Sequence, residues 1–295
     1  MSGVLIPPDA HLGATALLVL CLIVLSVAAW LWAPGAWRGL RRARIRRQPF
    51  APHWRETLRR RMPAFALLPA DVQLRLKKQA QVLMAETPFI GCAGLQVTDE
   101  MRVLVSVQAA LLLLRPGAGG FDNLRQVLIY PSAFAVQRHS ADAAGLVREE
   151  RHALVGESWQ QGQVILSWED VLQGAANPGD GRNVVLHEFA HQLDQAHGSA
   201  NGGPWLPGAQ RRAVWAQVMA AEYQALQLHL ADNKPGLIEP YAATNPAEFF
   251  AVLTELYFEK PLELALQHPS LYAQIRGLYG VDPLAWRGTT ATLQR

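Results

Sequence analysis

The sequence predicts an α+β fold in which helices surround a small sheet, preceded by one transmembrane helix. Three observations carry this expectation. Apolar residues recur at helical spacing in several long segments, as with Val103, Leu104, Val107, Ala110, Leu111 and Leu114. Short β-prone runs stand at 126–130, 153–157 and 163–168, bounded by turn residues. Residues 12–32 contain no charge at all. Long helices gathered around a few short strands fit an α+β domain.

The N-terminus comes first. Residues 1–11 read as a tail and 12–33 as the membrane helix. As a helix, 12–32 would extend about 31 Å, close to the roughly 30 Å of a bilayer's hydrocarbon core. A cleaved signal peptide would begin with basic residues, yet residues 1–11 carry Asp9 and no Lys or Arg. A buried core helix would keep a polar face, which is missing. Arg38, Arg41, Arg42, Arg44, Arg46 and Arg47 follow the apolar run. The positive-inside rule then places the rest of the chain in the cytoplasm. Trp30, Trp32 and Trp37 sit where an interfacial aromatic belt would lie. The expectation is a single-pass protein of the inner (cytoplasmic) membrane whose main domain is cytoplasmic.

Charge is unevenly divided. Residues 38–61 hold ten Arg against Glu56, a net of +9, whereas the whole chain is +3. The remainder is therefore acidic, and the basic balance belongs to the stretch 34–62, read as a juxtamembrane linker attracted to anionic lipid. Direct nucleic-acid binding is not expected, because no aromatic interleaving or recognised motif accompanies the arginines. Half the residues are hydrophobic, enough for one sizeable core in residues 63–290. Of the two cysteines, Cys21 lies in the apolar run and Cys92 stands alone, so that domain has neither a disulfide framework nor a Cys-based metal site.

Within the domain, 70–86 reads as an amphipathic helix stopped by Thr87-Pro88. A second helix covers 99–115 and breaks at 116–120. The runs 153–157 and 163–168 read as strands joined by a turn at 160–162. The second of them is either an edge strand able to pair with an extended peptide or a plain core strand. A short helix at 169–174 leads into a loop at 177–181. Helices follow at 184–196, ended by Gly198, and at 210–230, 246–258 and 270–278.

The helix at 184–196 contains His187-Glu188-Phe189-Ala190-His191. Residues four apart lie on one face of a helix, so both imidazoles can reach one metal ion. Glu188 then stands beside the open coordination position. Val184, Val185, Leu186, Phe189, Ala190 and Leu193 make this helix apolar nearly all round. Two His and a Glu inside a buried helix need partners, and a divalent cation supplies one. This is the working arrangement of a zinc peptidase.

Such a site takes three protein ligands. His197 lies ten residues after His187, but the long motif with that spacing has Gly where this chain has Asp194. Glu248 opens the helix at 246–258. Asn245, Pro246 and Glu248 also reproduce a capping box, in which a Glu only bonds the cap's backbone. Glu255 shares the face of Glu248 and is a further alternative. Spacing leaves the choice open. Asp194, seven residues after His187, either orients an imidazole or ends the helix as an exposed acid.

Val185-Leu-His-Glu-Phe-Ala-His-Gln-Leu-Asp194, the Gly-Gly-Pro loop, and Tyr241-Ala-x-x-x-Pro-Ala-Glu248-Phe-Phe-Ala-Val together resemble the Mlc titration factor A family. His268-Pro-Ser-Leu-Tyr, Tyr279 and Asp282-Pro283-Leu284 do so too, and the likeness spans about residues 60–285. The resemblance implies a zincin-like metallopeptidase domain similar to the catalytic domain of anthrax lethal factor. It implies His187, His191 and Glu248 as Zn2+ ligands, Glu188 as general base and Tyr241 as a second active-site residue. It further implies an aminopeptidase-like activity on small peptides and capture of a transcriptional repressor of sugar uptake. The N-terminal apolar run departs from the family's soluble pattern.

On this reading the metal brings the pKa of a bound water to about 7. Glu188 accepts its proton and passes it to the leaving amine. The neutral phenol of Tyr241 can donate to the developing oxyanion; the alternative for Tyr241 is a packed aromatic before a helix. Two classes of function follow: a peptidase acting on peptide substrates, or a non-catalytic module that sequesters a repressor. Glu188 favours the first, since a purely structural metal site has no use for a base.

Overall fold

The structure, a computed structural model, describes the backbone of residues 8–117, 119–132, 134–141, 147–154, 157–159, 162–197, 201–232 and 236–287. Two compact units divide the chain, Met1–Gln48 and Pro49–Arg295.

The first unit is one helix, α1 (Pro8–Arg47), 40 residues long. It overturns the expected membrane anchor. Among the described residues no helix is long and apolar enough to cross a membrane. Beyond Trp37, α1 carries six arginines. The single-pass anchor, the cytoplasmic placement derived from it and the lipid-facing role of the arginines fall with that finding.

The second unit begins with α2 (Pro52–Arg61), inside the stretch 34–62 that reads as a linker in the sequence. Leu58 is buried in the core, and Arg60 and Arg61 share the carboxylate of Glu100 at 2.7 and 2.6 Å. After α3 (Ala70–Glu86) come β1 (Phe89–Gly91) and α4 (Asp99–Ala110), whose N-terminus is capped by the Thr98 hydroxyl. A 3-10 turn then closes the segment. Next are β2 (Gln126–Tyr130), β3 (Phe134–Ala141), β4 (Val147–Leu154), β5 (Glu157–Trp159) and β6 (Gln163–Ser167). The helices that follow are α5 (Trp168–Ala176), α6 (Val184–Asp194), α7 (Ala209–Ala231), α8 (Pro246–Glu259), α9 (Pro261–Gln267), α10 (Pro269–Tyr279) and α11 (Pro283–Arg287).

The main sheet has the order β1-β2-β6-β5. β1, β2 and β6 run parallel, and only β5 is antiparallel to its neighbour. The architecture is thus helix-rich and mixed around a small parallel sheet, a correction to the expected α+β arrangement. Strand direction follows from connections: α4 returns the chain from the end of β1 to the start of β2, and a parallel pair needs such a crossover. Period-two patterning alone cannot report this. The run 163–168 becomes β6, paired on both sides, so it is a core strand; β5 and β1 form the edges. The run 153–157 is divided between the end of β4, which pairs with β3, and the start of β5. The helix stop expected at Gly198 lies outside the described residues.

What positions the site is the packing of α6 between α8, α4 and the β5–β6 side of the sheet. Val185, Leu186, Phe189 and Ala190 are at most 1% exposed. Phe189 meets Phe121 edge-on at 4.7 Å. α8 is buried nearly all round through Phe249, Phe250, Leu253, Leu256 and Tyr257. Two apolar helices locked together bring side chains some sixty positions apart into contact.

Candidate metal centre

Asn183 starts α6. Its side-chain oxygen accepts the amide hydrogen of Leu186 at 3.1 Å, a standard N-cap bond. Four residues on, His187 rises from the face that meets α8, and His191 stands one turn above it. Their ring centroids are 5.0 Å apart with planes at 81°.

Asn245 and Pro246 start α8. The Asn245 side chain takes the amides of Ala247 and Glu248 at 2.9 and 3.0 Å. The Glu248 carboxylate turns toward the imidazoles: its Oε2 is 2.9 Å from Nε2 of His187 and 3.5 Å from Nε2 of His191. The cap is thus supplied by Asn245 while Glu248 faces the histidines. One ligand atom from each of His187, His191 and Glu248 lies within 4.8 Å of the others. Two imidazoles and a carboxylate are a donor set that suits a divalent transition metal. This group could hold a metal ion, and its chemistry fits one.

The electrostatics agree. Burial opposes charge on His187, but the carboxylates of Glu255 and Glu248 prevail and hold its pKa well above the usual histidine value. Burial likewise works against the charge of Glu248, yet the bonds from both imidazoles hold its carboxyl far below the usual range.

Glu188 is 1% exposed, beside His187 in the chain and close enough to bear on its charge. Tyr241 lies in a 3-10 turn, Pro240–Ala243, with its ring 6.1 Å from that of His187 and more than half exposed. It stands on the rim, not in a packed core. Two bonds fix that turn: Tyr223 donates to the Ala243 carbonyl at 2.8 Å, and Thr244 to the Tyr241 carbonyl at 2.7 Å. Arg182, just before the α6 cap, meets Glu239, just before the Tyr241 turn, at 2.7 Å.

The remaining acids take other places. Asp194 is buried, and both its oxygens accept backbone amides, from Gly202 at 2.7 Å and Gly203 at 2.8 Å. It clamps a loop and is not an exposed helix end. His197 closes the 3-10 turn Gln195–His197 that follows α6, and its side chain lies outside the described residues. Glu255, an alternative ligand by sequence, bonds Nδ1 of His187 at 2.7 Å, on the far side of the ring from Glu248. Sequence reasoning missed this contact. The signal was the seven-residue step from Glu248, which puts both acids on the one face of α8 that meets α6.

The family described as glucose-regulated metallo-peptidase M90 matches residues 37–280. An uncharacterized protein of Synechocystis sp. is 38% identical over 263 residues, covering 89% of this chain and 96% of its own length. Mlc titration factor A of Pectobacterium atrosepticum is 33% identical over 236 residues, 79% of this chain and 87% of its own. The protein of the same name from Yersinia pestis is 36% identical over 236 residues, 79% of this chain and 85% of its own.

Proposed function

The chain belongs to the glucose-regulated metallo-peptidase M90 family, and on that premise we propose that it is a zinc peptidase that cleaves small peptides in an aminopeptidase-like manner. The observation that carries this reading is the convergence of His187, His191 and Glu248 from two packed helices. Those three would hold Zn2+. Bound there, the ion supplies Lewis acidity that makes a water acidic near neutral pH and polarises a peptide carbonyl.

The chain's own residues do the rest. Glu188 takes the proton of the attacking water on its carboxylate and delivers it to the departing amine. Its burial keeps bulk water from competing for that proton. Tyr241, neutral at pH 7, stands on the rim and donates its phenolic hydrogen to the oxygen that gains charge. Desolvation of the two imidazoles and Glu248 strengthens each of these interactions.

The name shared by the Pectobacterium and Yersinia relatives supports a second role, capture of a transcriptional repressor. The two roles separate in one experiment. Purified protein is assayed for metal content and for cleavage of a peptide library, with and without a chelator. Zinc-dependent cleavage supports the peptidase; a folded protein that holds no metal and cleaves nothing sinks it and leaves the capture role alone.

A further inference from the structure

Glu255 is 7% exposed and uses its two oxygens on two different groups. Oε1 meets Nδ1 of His187 at 2.7 Å, and Oε2 accepts the backbone amide of Asn183. That amide belongs to the residue that caps α6. The cap side chain is itself tied: its nitrogen donates to Oε1 of Gln108 at 2.9 Å, and Gln108 donates from its own nitrogen to the Leu104 carbonyl at 3.1 Å. A chain of bonds therefore runs from α4, through the capping residue of the metal helix, to the imidazole. With Oε2 accepting from the Asn183 amide and Oε1 facing Nδ1, the carboxylate is placed as an acceptor on both sides, which suits a hydrogen on Nδ1.

We infer that Glu255 is a positioning residue, fixing the His187 proton on Nδ1 so that the Nε2 lone pair is aimed at the metal site. The inference rests on the metal reading above. Nε2 is the nitrogen that faces Glu248 and, with it, His191. A histidine ligand usually gives its other N–H to a fixed acceptor, which sets ring orientation and raises the donor strength of the bound nitrogen. Glu255 does this from the same helix that supplies Glu248. Its second bond, to Asn183, stops the carboxylate from turning away. A purely structural Glu255, serving only the amide of Asn183, would leave the ring indifferent to it.

Two measurements decide. In the zinc-loaded wild-type protein, nitrogen NMR of His187 should show hydrogen on Nδ1 and metal on Nε2. Competition with a chelator should then show that Glu255→Gln weakens zinc binding by about 10–100-fold, because an amide cannot serve both neighbours as acceptor. Metal on Nδ1 of His187 overturns the inference. So does a folded Glu255→Gln protein whose zinc affinity stays within about threefold of wild type. If that variant does not fold, the NMR result alone decides. A wild-type protein that binds no zinc overturns the metal reading and this inference together; tight wild-type binding with an equally tight Glu255→Gln protein overturns only the inference.

Discussion

Oδ2 of Asp194, the last residue of the metal helix, accepts the amide hydrogen of Gly202 at 2.7 Å. Gly202 in turn has φ +74, and a Cβ built on it would lie 2.5 Å from the carbonyl oxygen of Pro246. Trp215 donates to the Gly202 carbonyl at 2.9 Å. The loop thus links the end of α6 to the start of α8, two residues before Glu248. Asp194→Asn sets an amide N–H against a backbone N–H. The expected cost is about 1–3 kcal/mol of stability, read as a lower thermal midpoint, with faster metal loss. An unchanged midpoint would mean that the loop does not depend on the clamp.

Glu188→Gln should retain the metal and lose peptide cleavage by about 100-fold or more. The carboxylate is not among the three grouped ligands, so zinc stoichiometry is the control. Cleavage that survives in a metal-replete variant would remove Glu188 from the chemistry.

Glu248→Gln should release the metal while leaving the helix in place. The amides of Ala247 and Glu248 are capped by Asn245, so the start of α8 does not need the Glu248 side chain. Circular dichroism should be unchanged as zinc content falls. Loss of helix with zinc retained would return Glu248 to a capping role.

Metal binding should release about one proton at neutral pH. His187 is held well above the usual histidine pKa, chiefly because the Glu255 and Glu248 carboxylates outweigh burial. That shift favours the doubly protonated ring, so a metal ion competes with a proton for it. Calorimetry in buffers of differing ionisation enthalpy would show this. Apparent affinity should fall about tenfold per pH unit below that pKa. A heat independent of buffer would refute it.

Glu259 gives a stability test away from the metal. Burial pushes its carboxyl from 4.5 up to about 9, against the pull of a bond from Asn183 and with the neighbouring carboxylates of Asp180 and Glu255 adding to the rise. The raised pKa means the folded chain holds a proton that the unfolded chain has lost between those values. Its stabilising effect is full below 4.5 and drains away as pH climbs toward 9. Glu259→Gln keeps a neutral group there, so its melting temperature should decline less between pH 5 and 9 than the wild type's, both measured with metal removed. Parallel pH profiles would show that Glu259 is ionised throughout.

Local rules made part of this molecule legible. The boundaries of α3 and β2 follow from periodicity and from Pro88 and the turn residues around them. The facing pair His187 and His191 follows from the four-residue step on any helix, whatever packs against it. The choice among Glu248, Glu255 and His197 did not follow in this way, because each depends on where α8 and the end of α6 lie in space.

Sequence alone settled what a short stretch of backbone settles by itself: the longer helices of the main unit, though not α2, α9 or α11, and that two imidazoles four residues apart share a helix face. Packing decided the rest. The contact of α6 with α8 turned Glu248 toward the imidazoles and set Glu255 behind one of them. The crossover through α4 made the sheet parallel. Among the described residues no helix proved long and apolar enough to cross a membrane. Hydrogen bonds and close packing between distant segments have no local signature, since their energy depends on partners that only the folded chain brings within reach.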